Sequence, residues 1–77
     1  MDLREVFAVN LRRLRHTKGV SQDDLAYEAN VSRSYLSQLE KGVFYASLNV
    51  LGRLAEALGV EPAELLRMPT KRAPRAR

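Results

Sequence analysis

Apolar side chains at Leu3, Phe7, Leu11 and Leu14 recur at helical spacing, with Arg4, Arg12, Arg13 and Arg15 set between them. The pattern predicts an amphipathic helix from about residue 2 to Lys18. Asp2 and Glu5 near its start and Arg15, His16 and Lys18 near its end suit the helix dipole, and Gly19 is placed to close it in a left-handed conformation. Ser21 with Asp24 three residues later makes a variant capping box, opening a short helix to about Glu28 with Leu25, Ala26 and Ala29 inward. Asn30 stands in the turn that follows, where a residue tolerant of positive φ is needed and no glycine is present. Ser32, preceded by apolar Val31, caps a third helix that runs to about Lys41 and stops at Gly42.

The third helix divides cleanly. At about 100° per residue from Arg33, Leu36 and Leu39 fall on one side while Ser34, Ser37, Gln38 and Lys41 fall on the other, so an apolar stripe backs a polar one. Val43 to Ala46 read as a loop carrying Phe44 and Tyr45, which suit either the edge of the core or a contact between subunits. Ser47 caps a fourth helix with Leu48, Leu51, Leu54, Ala55 and Leu58 at core spacing and Gly59 as its stop. Glu61 and Pro62 start a fifth helix, PAELLRM. The expectation is an all-α, five-helix domain over residues 1–68. Residues 69–77 hold two prolines, four cations and no large apolar side chain, and they read as a disordered basic tail.

Composition narrows the classes. Seventy-seven residues without cysteine exclude disulfide staples and thiolate metal sites, which favours a small helical fold or an oligomer in a reducing, cytoplasmic setting. The acidic start excludes a signal peptide, and no apolar run approaches the ~18 residues of a membrane helix. His16 is the one histidine and has no partner at catalytic or metal-ligand spacing, so no enzyme, metal or cofactor is expected. The net charge is +4, yet residues 1–67 carry nine Lys or Arg and nine Asp or Glu; the excess lies wholly in Lys71, Arg72, Arg75 and Arg77. A polyanionic partner must therefore be argued from where charges stand, with the tail either a phosphate-binding arm or a solvated terminus.

The twenty residues from Gln22 to Lys41, QDDLAYEANVSRSYLSQLEK, place Leu25 and Ala26 fourth and fifth, and Val31, Leu36 and Leu39 tenth, fifteenth and eighteenth. These are the apolar and small positions that a helix-turn-helix needs. With its flanks, LRRLRHTKGVSQDDLAYEANVSRSYLSQLEKG followed by SLNVLGRLAEALGVEPAELL, the chain resembles the lambda-repressor-like (XRE) family of DNA-binding domains over residues 3–67. Within it, DLAYEANVSRSYLSQLE looks especially like the controller proteins of restriction–modification systems.

The resemblance implies roles. Gln22 would bond a backbone phosphate, and Arg33, Ser34 and Gln38 would reach base edges. Arginine can pair two donors with guanine, and glutamine can pair with adenine. Ser32, Tyr35, Ser37 and Lys41 would flank or hold the backbone, and Arg15 with Glu40 would form a structural ion pair. In place of the cations many relatives carry after this helix stands Val43-Phe44-Tyr45-Ala46. Arg12 and Arg13 could reach phosphates or simply be solvated, and Tyr27 is expected to pack. One such helix buries too little surface for tight specific binding, so a homodimer on a (pseudo)palindromic operator is expected. Leu48, Val50, Leu51, Leu65, Leu66 and Met68 are the candidate dimer face. Double-stranded DNA and a second copy are the expected partners, RNA polymerase is a further one for such a regulator, and no membrane or small-molecule ligand is implied. The rival reading is an antitoxin-type interaction module, whose basic tail would bind the toxin.

Overall fold

Four side chains set where the helices begin. In the computed structural model, which describes residues 2–68, the side-chain oxygens of Asp2, Ser21, Ser32 and Ser47 accept hydrogen bonds from the backbone N–H groups of Arg4, Asp24, Tyr35 and Val50 at 2.7–3.1 Å. Each cap satisfies a donor that the first turn leaves unpaired, an effect of about 0.5–2 kcal/mol. The helices that follow are α1 (Leu3–Lys18), α2 (Gln22–Ala29), α3 (Arg33–Glu40) and α4 (Leu48–Leu58). No strand occurs among the described residues.

The stops are as local as the starts. Asn30 closes α2 in the left-handed region at φ 59° and ψ 47°, and its N–H bonds back to the carbonyls of Ala26 and Tyr27. Gly42, at φ 76°, turns the chain just past α3 where it passes close to the backbone of Arg4 in α1.

The leucine stripes meet as their spacing requires. Leu11 of α1, Leu25 of α2, Leu36 and Leu39 of α3, Leu54 of α4 and Leu65 beyond it are fully buried in one cluster. α1 packs against α3, α4 and the C-terminal turn, and α2 packs against α3 and α4, so α2 and α3 are held from behind by the other elements.

Two expectations fail here. The fifth helix is a 3-10 helix, Pro62–Leu66. Asn10, buried in α1, sends its side-chain Nδ2 to the carbonyls of Leu65 at 3.0 Å and Arg67 at 2.8 Å. Those bonds fix the turn to α1, and Pro69 has no N–H with which to extend a helix. Tyr27 does not pack: it is 84% exposed. From Leu25 it lies about 200° round α2, opposite the stripe of Leu25 and Ala29.

Asn10 also accepts from Arg13 Nη2 at 3.1 Å, so its amide is bonded at both ends. Asn10→Ala strips the Leu65 carbonyl of a partner in a dry site and is expected to destabilise the fold by about 1–3 kcal/mol. A thermal melt would show this as a drop in Tm of about 4–8 °C per kcal/mol for a domain of this size.

Candidate nucleic-acid interface

α3 presents two faces. Leu36 and Leu39 are wholly buried, while Arg33 and Ser34 are exposed and Ser37 and Gln38 half-buried, these four lining a shallow open depression. The sequence thus produces, in eight residues, an apolar anchor with a polar outer surface. The Ser32 hydroxyl oxygen is already engaged as the cap of α3, leaving its O–H free to donate. Lys41 is exposed just after the helix.

Glu40 decides how α3 is held. Its carboxylate is almost entirely buried, and Arg15 of α1 reaches it with Nε at 2.6 Å and Nη2 at 3.1 Å, the two-pronged geometry that favours arginine over lysine. Gln22 of α2 donates its side-chain Nε2 to the same carboxylate at 2.9 Å. Three helices therefore meet on one buried charge. Arg12, read from the sequence as a phosphate contact or a solvated charge, is exposed and also donates to the Glu40 backbone carbonyl at the end of α3. That contact is invisible to spacing arguments because it joins residues 28 apart.

The same cluster reaches the surface. Gln22 Oε1 lies 3.4 Å from the Nε of Arg33, and Asp23 Oδ1 lies 3.5 Å from the same nitrogen. Gln22, Arg33, Ser34 and Gln38 thus stand as neighbours across the start of α2 and the outer face of α3. Tyr35 turns away from that face: its ring stacks with Phe44 at 6.1 Å between centroids, and it packs against the core.

The apolar surface lies elsewhere. Leu48, Met68 and Leu66 are 83%, 54% and 40% exposed, whereas Leu65 has no exposed surface and Leu51 is 8% exposed. Leu51 and Leu65, expected on the dimer face, belong to the core because the 3-10 turn folds back on α1 and α4. Val50 is half-buried against the same core. Phe44 and Tyr45, read from the sequence as core edge or subunit contact, border a groove with Leu48 and Leu66, and Leu3, which helical spacing assigns to the inner stripe of α1, joins them there. Tyr45 is held there by the Arg4 guanidinium, 4.9 Å from its ring centre.

Among the described residues no cluster of three or more metal-ligating side chains is found, and no helix is long and apolar enough to cross a membrane.

Comparison with known proteins supplies the class. A helix-turn-helix domain model matches residues 6–68. The chain belongs to the helix-turn-helix family. This helix-turn-helix protein is 39% identical to an HTH-type transcriptional regulator of Sinorhizobium fredii, covering 96% of this chain and 95% of that one. It is 36% identical to the control protein C.BamHI of Bacillus amyloliquefaciens, over 90% of this chain and 86% of the relative. Among solved structures, a hypothetical transcription factor from Neisseria superposes with a TM-score of 0.84 at 40% identity, covering 88% of this chain and 78% of that one. The restriction-modification controller protein C.AhdI from Aeromonas hydrophila gives 0.78 at 42% identity, over 80% of this chain and 94% of the other. The helix-turn-helix protein is accordingly a relative of transcriptional regulators and close to restriction–modification controller proteins.

The Glu40 site makes stability depend on pH in a defined direction. Burial works to raise the Glu40 pKa, but the hydrogen bonds from Arg15 and Gln22 outweigh it and hold the carboxyl below its ordinary value of 4.5. A depressed carboxyl pKa stabilises the fold above that ordinary value, and the contribution is lost as pH falls through the lower, folded-state value. The stability difference between the wild type and Glu40→Gln, which cannot ionise there, is expected to shrink as urea titrations are repeated from pH 6 towards about pH 3. Asp2, drawn down to about 2 mainly by its side-chain hydrogen bond with Arg4, acts in the same direction but is common to both proteins and cancels. Arg15→Ala, which leaves the carboxylate buried without its cation, is expected to cost about 3–5 kcal/mol.

Proposed function

We propose that this chain is a sequence-specific transcriptional regulator that binds duplex DNA as a homodimer, with α2 and α3 acting as the helix-turn-helix. The observation that carries the reading is the outer face of α3, where Arg33, Ser34 and Gln38 stand free of the core while Leu36, Leu39 and Glu40 anchor the helix from behind. A helix with that division can enter a major groove with its N-terminal residues at base edges. In this reading Arg33 contacts a guanine, Gln38 an adenine, and Ser34 and Ser37 the adjoining edge or backbone. Gln22 keeps one N–H beyond its bond to Glu40, enough to donate to a phosphate, and Ser32 and Lys41 flank it.

The charges of residues 2–68 balance, nine against nine, and the basic tail lies outside the described residues, so within residues 2–68 a general positive field does not supply the affinity. Two copies reading two half-sites about one helical turn apart supply it instead. The face offered for pairing is Leu48 and Leu66 with Leu3, Phe44 and Tyr45, which border one groove, together with the exposed Met68, an apolar surface of the kind that marks a protein interface. The similarity to C.BamHI and C.AhdI supports a controller-type role, in which the dimer on its operator alters access of RNA polymerase. A methyltransferase and an endonuclease gene beside this one would support that role further.

Selection of duplexes from a random pool followed by gel-shift titration tests the reading. Wild-type protein is expected to recover a two-fold-related site, and Arg33→Ala to lose about 1–3 kcal/mol of discrimination at one base pair of each half-site. Recovery of no preferred duplex, or unaltered discrimination in the variant, contradicts it. Leu48→Asp places a charge on the proposed pairing face and is expected to give monomers by sedimentation equilibrium with the helical signal intact; a dimer that persists rules out this face.

A further inference from the structure

Arg33 is the one base-reading candidate whose side chain is gripped from a different helix. From α2, Gln22 Oε1 accepts the N–H of its Nε at 3.4 Å, and the Asp23 carboxylate stands beside the same nitrogen as an ion pair at 3.5 Å. The grip has a firm base. Gln22 donates one N–H of Nε2 to Glu40, whose carboxylate is buried and held by Arg15, and this anchored amide presents its oxygen to Arg33. An arginine carries five N–H donors in a planar fork. With Gln22 accepting at Nε and the Asp23 carboxylate beside it, the two terminal amino groups remain as a matched pair of donors, the arrangement that guanine O6 and N7 accept.

We infer that Asp23 is a specificity-determining residue: together with Gln22 it holds the Nε edge of Arg33, so that the terminal amino groups meet a guanine edge and are kept from wandering to the phosphates. The inference rests on the reading of Arg33 as a base contact. Asp23 touches no base in this scheme; it is a positioning residue. Both partners are largely exposed, with side-chain exposures of 73% for Asp23 and 62% for Arg33, so the pair itself is worth no more than about fivefold in an equilibrium. Its effect on selectivity is larger in consequence than in strength. On a cognate site the pair persists and Arg33 arrives already oriented, sparing the loss of side-chain freedom on binding. On other DNA, a phosphate contact by Arg33 requires the pair to break. Releasing Arg33 therefore weakens cognate binding and strengthens non-cognate binding, and the ratio between them narrows.

A plain charge effect has a different signature. Asp23 near the phosphates repels every duplex alike, so its neutralisation raises all affinities by one factor and leaves the ratio unchanged. The ratio is thus the quantity to read. Wild type, Asp23→Asn, Asp24→Asn, Arg33→Ala and the Asp23→Asn/Arg33→Ala double variant are titrated at fixed salt by fluorescence anisotropy. The probes are a duplex selected by the wild type and a shuffled duplex of equal length. Asp23→Asn is expected to narrow the selected-to-shuffled ratio by roughly threefold or more, within what releasing one exposed pair allows. Asp24→Asn, the same charge change one residue on, is expected to leave the ratio alone. In the Arg33→Ala background, Asp23→Asn is expected to have no effect on the ratio. A common shift of both duplexes by Asp23→Asn overturns the inference, as does a narrowing that persists without Arg33. The two levels of the account fail separately: a wild type that selects no duplex sinks the regulator reading and this inference with it. Intact wild-type and Arg33-dependent selectivity, with an Asp23→Asn ratio equal to that of the wild type, sinks the inference alone.

Discussion

A carboxylate buried at the junction of three helices is the constraint on which this structure turns. Glu40 is the last residue of α3, and removed from water it requires partners; it takes Arg15 from α1 and Gln22 from α2. Apolar packing alone is tolerant of small slides and rotations, since leucines repack with little loss if volume is kept. A buried ion pair with fixed hydrogen-bond geometry is not tolerant. It selects one orientation of α3 relative to its neighbours, and so one direction for the side chains on its outer face. Such a pair need not add net stability over an apolar substitute, and its value here lies in register.

That constraint matters because the described residues carry no net charge. A strongly basic protein can bind DNA in many poses and correct its fit afterwards. In the proposed complex a neutral domain depends on a few groups being correctly aimed from the start, and the path from Arg15 through Glu40 and Gln22 to Arg33 is the means offered for it. The proposed dimer serves the same end by doubling each placed contact rather than by adding charge. Its apolar face, built from the first turn of α1, the loop after α3, the start of α4 and the C-terminal turn, is made of segments that the core does not need to cover.

Much of the fold could be read from the sequence because its signals are local. The serines at 21, 32 and 47 announce the helix starts, Asn30 announces a left-handed turn without glycine, and the leucine spacing announces which sides face inward. The polar face of α3 follows from the same periodicity. What escaped was set by contacts between distant residues. Nothing about Asn10 in the sequence says that it will fasten residues 65 and 67, yet those two bonds tie the 3-10 turn to α1, where Leu65 enters the core. Leu51 and Leu65 were expected on the dimer face because counting apolar residues in a short segment does not say which of them a fold-back will bury. The position of Arg33 beside Gln22 and Asp23 of α2 was equally beyond reach, since it depends on how α2 and α3 cross.

Which surface meets DNA is the decisive question for this protein. Titrating isotopically labelled protein with its selected duplex and following backbone and side-chain NMR signals answers this directly. Perturbations are expected to centre on Gln22 and on Arg33, Ser34, Ser37 and Gln38, with the Arg33 Nε signal among the most shifted. Perturbations centred instead on Leu3, Phe44 and Leu48, with the outer face of α3 unmoved, would contradict this expectation.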